Sequence, residues 1–193
     1  MKERPILFNS DMVRAILDDR KTQTRRIIKN PSRLEGLMLK GEESEWCPYG
    51  VVGDRLWVKE TFRYAIFALG CGGHASGVEY KMRGIRFDKR AKKYAKQRGN
   101  KDKYGQHAKW RSPRFMPKWA ARLWLEITGI RVERVQEIGL RDCLAEGIEG
   151  QRKSVEQLRS DFWRLWDSLN AKHSWKSNPW VWVIEFKRVP DEL

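Results

Sequence analysis

The stretch Met12–Arg26, MVRAILDDRKTQTRR, places a helix, a turn and the start of a strand in immediate succession. Ser10 or Asp11 stands as N-cap, and Met12, Val13, Ile16 and Leu17 recur at the spacing of one helical face, which predicts about two turns of helix. After Asp18-Asp19 the pattern changes. Thr24, Ile27 and Ile28 are β-branched, and their crowded Cβ atoms favour extended backbone, so QTRRII reads as a strand. Lys21–Lys29, KTQTRRIIK, thus straddles a helix end and a strand start, and with Arg20 it holds five cations. Such a run is either a solvated strand face or a site that holds phosphate and activates a hydroxyl.

Outward from this stretch, PILF (5–8) is a candidate first strand. In GDRLWVKETF (53–62) a Gly-Asp turn leads into a strand on which Leu56 and Val58 alternate with Arg55, Trp57 and Lys59. VEYKM (78–82) reads as a short strand. Leu123, Leu125 and Ile127 face one way in the long LEITGIRVERV segment (125–135), with a bend at Gly129. GLRDCLAEGI (139–148) reads as a short helix closed by Gly147. In SVEQLRSDFWRLWDSL (154–169), Ser154 and Gln157 form a capping box ahead of a buried stripe of Val155, Leu158, Phe162, Leu165 and Leu169. PWVWVIEFKRV (179–189) closes the chain as a strand. Antiparallel strands around one core with helices at the edge predict an α+β fold, a small antiparallel β-barrel formed by a single domain over residues 1–193.

The charge is lopsided. Forty Lys+Arg stand against 25 Asp+Glu, a net +15 and a pI near 10.0. Between Arg83 and Arg114 there are thirteen Lys/Arg and two Asp, so most of the excess sits in one segment. Asp88 can cap a helix there whose thin apolar face is Phe87, Ala91, Tyr94 and Ala95, with Gly99 as a stop. Arg90, Lys92, Lys93, Lys96 and Arg98 cover the rest. A basic helical insertion over 83–114, interleaved with Tyr94, Tyr104 and Trp110, has what a groove-tracking nucleic-acid contact needs.

Other classes are excluded or unsupported. The amino terminus lacks the apolar core of a secretory signal, and no run approaches the ~20 apolar residues of a membrane span, so the protein is expected to be cytoplasmic with no membrane partner. Cys47, Cys71 and Cys143 are odd in number and widely spaced, which predicts reduced thiols. Cys71-Gly-Gly-His74 supplies two ligands where structural zinc wants four, so no metal is expected. LGCGGHASG (69–77) is not followed by Lys-Ser/Thr, unlike a phosphate loop, and no cofactor is expected.

Four pieces together resemble the ASCH superfamily: MVRAILDDRKTQTRR, GDRLWVKETF, LEITGIRVERV, and DCLAEGI followed by WVWVIEF. More narrowly, RKTQTRR, CPYG, GDRLWV, MPKWAAR and NPWVWVIEF resemble a set of phage and prophage ASCH-like proteins. The resemblance implies a PUA-like barrel and a role in RNA binding or RNA cleavage. It also includes a small bacterial amidohydrolase acting on N4-acetylcytidine. That enzyme's Lys, Thr and Glu fall here on Lys21, Thr24 and Glu146. By that reading Thr24 is the nucleophile, Lys21 a base whose pKa is lowered by burial or neighbouring cations, and Glu146 a proton shuttle.

A reading without chemistry has Arg20, Lys21, Arg25 and Arg26 holding phosphate, Lys59 lining the cleft, and Trp57 or Trp119 stacking on a base. The expected partner is nucleic acid, RNA ahead of DNA, or a nucleoside. A hydrolase in the same cleft and a phage-encoded factor that binds a host protein are the alternatives.

Overall fold

The computed structural model describes residues 1–33, 43–68, 74–82, 84–91, 109–150 and 153–190. In chain order these form β1 (Glu3–Leu7), α1 (Ser10–Leu17), β2 (Gln23–Ile27), β3 (Arg55–Lys59), β4 (Phe62–Ala68), β5 (His74–Tyr80) and β6 (Ile85–Phe87). Then follow β7 (Trp124–Arg134), α2 (Leu140–Ala145), α3 (Val155–Leu169) and β8 (Trp180–Val189), with short 3-10 turns between. The α+β class holds, and the β2–β8, β7–β8, β4–β5 and β5–β6 pairs are all antiparallel.

The expected closed barrel is not found among the described residues. Instead the strands form a five-stranded sheet, ordered β1-β3-β7-β8-β2, and a three-stranded sheet, β4-β5-β6. The physical reason is that β4 to β6 pair with one another and bury one face on a core of their own. The chain accordingly divides into two compact units. The larger comprises Met1–Arg4, Ala15–Leu56 and Trp124–Glu192; the smaller comprises Pro5–Arg14 and Trp57–Leu123.

In the larger unit, Val135, Ile138, Cys143, Leu158, Phe162, Trp166, Val181 and Val183 form a buried cluster. The capping box of α3 is present, with the Ser154 hydroxyl accepting from the Gln157 amide at 3.3 Å and Gln157 Oε1 accepting from the Ser154 amide at 2.8 Å. Its buried stripe, however, is Leu158, Phe162 and Trp166, while Val155 and Leu169 are exposed. Trp166 wins the position four residues after Phe162 because its indole also finds a partner, the His173 carbonyl at 2.9 Å. The β7–β8 ladder slips between Ile127 and Gly129, where the bend was expected.

In the smaller unit, Phe62, Tyr64, Val78, Tyr80, Ala91, Met116 and Ala120 pack together. Glu60 is buried and held by Arg122 through two bonds of 2.8 and 2.9 Å, and the Arg122 guanidinium lies 4.2 Å from the Tyr80 ring centre. A Cβ at Gly84 would run into the Arg122 guanidinium, and the φ of +118° is one that L side chains rarely adopt, so the position favours glycine. The helix N-cap at the start of α1 is Asn9 rather than Ser10 or Asp11: its Oδ1 accepts the Met12 amide at 2.8 Å.

Phe87 does not join a helical stripe. It ends β6 and is exposed, and only Lys89–Ala91 begin a helical turn, with Asp88 Oδ1 accepting the Arg90 amide at 2.8 Å. The remainder of the expected basic helix lies outside the described residues, as do Lys92, Lys93, Lys96, Arg98, Tyr94, Tyr104, Gly99 and Cys71. Among the described residues no helix is long and apolar enough to cross a membrane.

Candidate functional site

The quoted basic stretch is positioned by two helix ends in the larger unit. Helix α1 stops with Asp19 in the left-handed region (φ 54°), the Asp19 amide bonding to the Ile16 carbonyl and the Arg20 amide to the Ala15 carbonyl. Helix α2 stops in the same way, with Gly147 at φ 92°, its amide on the Leu144 carbonyl and the Ile148 amide on the Cys143 carbonyl. Both are Schellman closures, in which a left-handed residue lets its own amide and the next one turn back to orphan carbonyls. The two exits meet: Lys21 and Glu146 form an antiparallel bridge, and Thr22 donates its amide to the Ala145 carbonyl at 2.8 Å.

Gly147 is required twice, by its φ and by space, because an added Cβ would lie 3.0 Å from that of Ala15 and 3.2 Å from that of Lys21. Gly147→Ala is therefore expected to cost about 1–3 kcal/mol, read as a lower urea midpoint at unchanged slope. A midpoint equal to wild type would rule out this crowding.

Lys21 is 2% exposed and Arg25 5%, which excludes the solvated strand face for both. Lys21 Nζ donates to the Glu146 carbonyl at 2.8 Å and to Glu146 Oε2 at 2.6 Å. Arg25 donates from Nη1 to Glu146 Oε1 (3.2 Å) and Gln23 Oε1 (3.0 Å), from Nε to Glu133 Oε1 (2.9 Å), and from Nη2 to Glu133 and to Asp142 Oδ2 (2.9 Å). Arg131 reaches Glu133 Oε2 (3.1 Å), Asp142 Oδ2 (3.0 Å) and Glu185. Gln23 Nε2 completes the set on Asp142 Oδ1 at 3.2 Å.

Register explains the assembly. Gln23 and Arg25 on β2 stand opposite Glu185 and Val183 on β8, and Arg131 and Glu133 on β7 stand opposite Val183 and Val181, so all share one sheet face. Gly129 makes room there, since a side chain would meet Glu185 Oε2 at 2.8 Å. Thr24 and Arg26 point to the other face, opposite Ile184 and Trp182. Thr24 is buried there and Arg26 is half-buried.

Three cations, Lys21, Arg25 and Arg131, thus face four carboxylates, Glu133, Asp142, Glu146 and Glu185. Burial pulls the Lys21 ammonium below its ordinary value, Glu146 pulls it back, and Arg26 and Arg25 add to the lowering. Burial raises the Asp142 carboxyl, but Arg25, Arg131 and Gln23 outweigh it and hold it below the usual carboxylate range. Gln23, Glu133, Asp142, Arg131 and Glu185 are not among the candidates read from the sequence. One signal was present for Asp142: it precedes Glu146 by four residues and so shares its helix face.

The remaining candidates divide between the units. Arg20 donates to the Gly147 carbonyl at 3.0 Å and pairs with Asp18 at the surface. In the smaller unit Trp57 is buried, with Lys59 Nζ 5.3 Å from its ring centre and donating to the Arg114 carbonyl at 2.6 Å. Trp119 is half-buried, stacked on Tyr64 with 5.9 Å between centroids, and Arg90 lies 4.9 Å over its ring.

No family model matches the chain, and no curated protein matches it. Two solved structures are similar to it. One is a protein from Enterococcus faecalis V583 described by the family model DUF984, with 9% identity and a TM-score of 0.43, covering 98% of this chain and 77% of that one. The other is an ASCH domain from Lactobacillus crispatus JV V101, with 14% identity and a TM-score of 0.43, covering 98% of this chain and 81% of that one.

Proposed function

We propose that the protein is an ASCH-like RNA- or nucleotide-binding protein that grips its polyanion with the smaller unit. The partition of charge carries this reading. Residues 57–123 hold eighteen Lys/Arg against four Asp/Glu, and residues 5–14 add one of each, so the smaller unit has +14 of the chain's +15 and the larger unit +1. A surplus of that size concentrates polyanions at the surface that bears it. Lys89, Arg90, Lys109, Arg114 and Lys118 all lie exposed on the smaller unit. Lys21 and Arg25, by contrast, are already neutralised by carboxylates, so phosphate contact falls to the smaller unit. RNA is put ahead of DNA by the resemblance of RKTQTRR, GDRLWV, MPKWAAR and NPWVWVIEF to ASCH-like proteins associated with RNA.

The test is an anisotropy titration with a labelled single-stranded RNA. Lys89→Glu with Arg90→Glu is expected to weaken binding for every sequence tried and to reduce the salt slope by about 1 per phosphate contact removed. Lys172→Glu with Lys176→Glu, on the larger unit, leaves it unchanged. Equal affinities for the two double variants would end this reading.

A second reading has its own observation. Lys21 is buried on Glu146 with its pKa drawn down, as a lysine acting as a base requires. Under this reading Lys21 and Glu146 move protons for hydrolysis of an acylated cytidine, and Thr24, which the β2 register turns away from Gln23 and Arg25, is tested as nucleophile by substitution. Mass spectrometry of N4-acetylcytidine after incubation with wild type, Lys21→Met and Thr24→Ala tests it. Deacetylated product from wild type alone supports it, and intact substrate in all three removes it.

A further inference from the structure

The segment Lys109–Arg122, KWRSPRFMPKWAAR, holds five cations and no acid, and it lies wholly in the smaller unit. Two of its side chains are turned inward and act as pins. Arg111 is bridged to Phe62, which donates its amide to the Arg111 carbonyl at 3.3 Å and accepts the Arg111 amide on its own carbonyl at 2.8 Å. The Arg111 guanidinium lies 5.3 Å from the Tyr64 ring centre and 5.7 Å from that of Phe62. Met116 is the second pin: it is buried in the core of the unit, and its sulfur accepts the Glu60 amide at 3.3 Å.

Between the pins the chain makes one tight turn. The Phe115 amide donates to the Ser112 carbonyl at 3.1 Å and the Met116 amide to the Pro113 carbonyl at 3.0 Å. The Ser112 hydroxyl accepts the Arg114 amide at 3.4 Å, and Lys59 Nζ donates to the Arg114 carbonyl at 2.6 Å. Pro113 fixes φ at the entrance of the turn. The backbone of Arg114-Phe115 is thus held from several sides while both side chains stay outside: Arg114 is exposed, and Phe115 is 64% exposed. Among the described residues no carboxylate pairs with the Arg114 guanidinium, and no ring or cation lies on the Phe115 ring.

A single exposed ring is ordinary on a protein surface. This one is held beside an unpaired cation, in an acid-free segment, on a unit that carries +14. A ligand that meets ring and cation together has a flat apolar face with an anion close by. A nucleotide of a single strand has both in its base and its phosphate, whereas a duplex hides its base faces in the stack. We infer that the Arg114-Phe115 tip clasps one nucleotide of a single-stranded nucleic acid, the phenyl ring stacking on the base and the guanidinium holding the adjoining phosphate. This inference rests on the nucleic-acid reading of the smaller unit and adds to it the single-stranded form and the place of one stacked base.

The full chain is titrated with a labelled twelve-nucleotide single strand, with an abasic strand of the same length, which has the charge without bases, and with the duplex. Phe115→Ala is expected to lose about 5- to 150-fold in affinity for the single strand and nothing for the other two probes. Arg114→Gln is expected to weaken the single strand and the abasic strand alike and to reduce the salt slope by about 1. Phe115→Trp is expected to recover the affinity that alanine loses. Circular dichroism of each variant checks that the fold is kept.

Wild-type affinity for the single strand in Phe115→Ala overturns the clasp and leaves the polyanion reading in place. An equal loss for the abasic strand also overturns it, because the change then lies in charge or fold and not in stacking. A peptide of alternating glutamate and leucine, titrated in parallel, is expected to distinguish Phe115→Ala from wild type no better than the abasic strand does; a loss there equal to that for the single strand overturns the clasp in favour of an acidic protein partner. A wild-type protein that binds neither strand nor duplex overturns both readings.

Discussion

Arg25→Met is expected to lower the stability of the protein by about 3–5 kcal/mol, the cost of removing one partner from a buried ionic cluster. Arg25 pairs with Glu133, Asp142 and Glu146 together, and its side chain is 1% exposed. Methionine fills most of the volume but neutralises nothing, so three carboxylates keep their desolvation penalty and lose one of their cations, with Lys21 left on Glu146 and Arg131 on Glu133 and Asp142. For a chain of this length the melting temperature is expected to fall by about 6–20 °C.

The pH dependence identifies the cause. In the wild type Asp142 has a folded pKa below its ordinary value, so its share of stability is present above the unfolded value of ~3.9 and is lost as pH falls through the folded value. In Arg25→Met that depression is reduced, because Arg131 and Gln23 still hold Asp142. The variant has less of this share to lose, so the deficit relative to wild type narrows as pH falls below ~3.9 through the wild-type folded value. Thermal melts of both proteins at pH 7 and at about pH 3 measure this directly. A deficit equal at the two pH values would assign the loss to packing against Phe162, whose ring centre lies 5.7 Å from the Arg25 guanidinium, and not to charge.

Affinity for RNA is expected to fall by about 10³–10⁵ between ~50 and ~200 mM salt, the response of a protein that makes six to ten phosphate contacts. The smaller unit holds eighteen Lys/Arg in its sequence; of the eleven that are described, Lys89, Lys109, Arg114 and Lys118 are exposed, while Arg122 is committed to Glu60, Arg63 to Glu79 and Arg90 to Asp88. Each remaining surface cation that reaches a phosphate releases condensed counterions from the strand, and the released ions make binding weaker as bulk salt rises. Titrations at four salt concentrations give the slope of log K against log salt. A slope near zero would sink the polyanion reading, whatever the affinity at a single salt.

The elements around Met12–Arg26 were legible because each depends on neighbours in sequence. The helix face of α1, the turn at Asp18-Asp19 and the β-branched run of β2 are local choices of backbone. The capping box of α3, the glycine stop of α2 and the bend at Gly129 are local too. The stripe of α3 was misjudged at its ends, where Val155 and Leu169 are exposed, and at Leu165, which is half-buried while its neighbour Trp166 is buried with its indole on the His173 carbonyl. The Asn9 cap was missed because three adjacent residues, Asn9, Ser10 and Asp11, all cap well.

By itself, then, the sequence determined the α+β class, the antiparallel strands, the helix ends after Leu17 and at Gly147, and a basic balance concentrated around residues 83–114. Those follow from side-chain periodicity, backbone preference and charge, which are properties of short stretches. Only the tertiary structure decided that the strands make two sheets and that Thr24 and Arg25 part to opposite faces. It also decided that Lys21 and Arg25 are spent on Glu133, Asp142 and Glu146, which are brought from more than a hundred residues away. Long-range pairing and register are set by which faces bury together, and a charge cannot be known as free or neutralised until the fold has brought its partner.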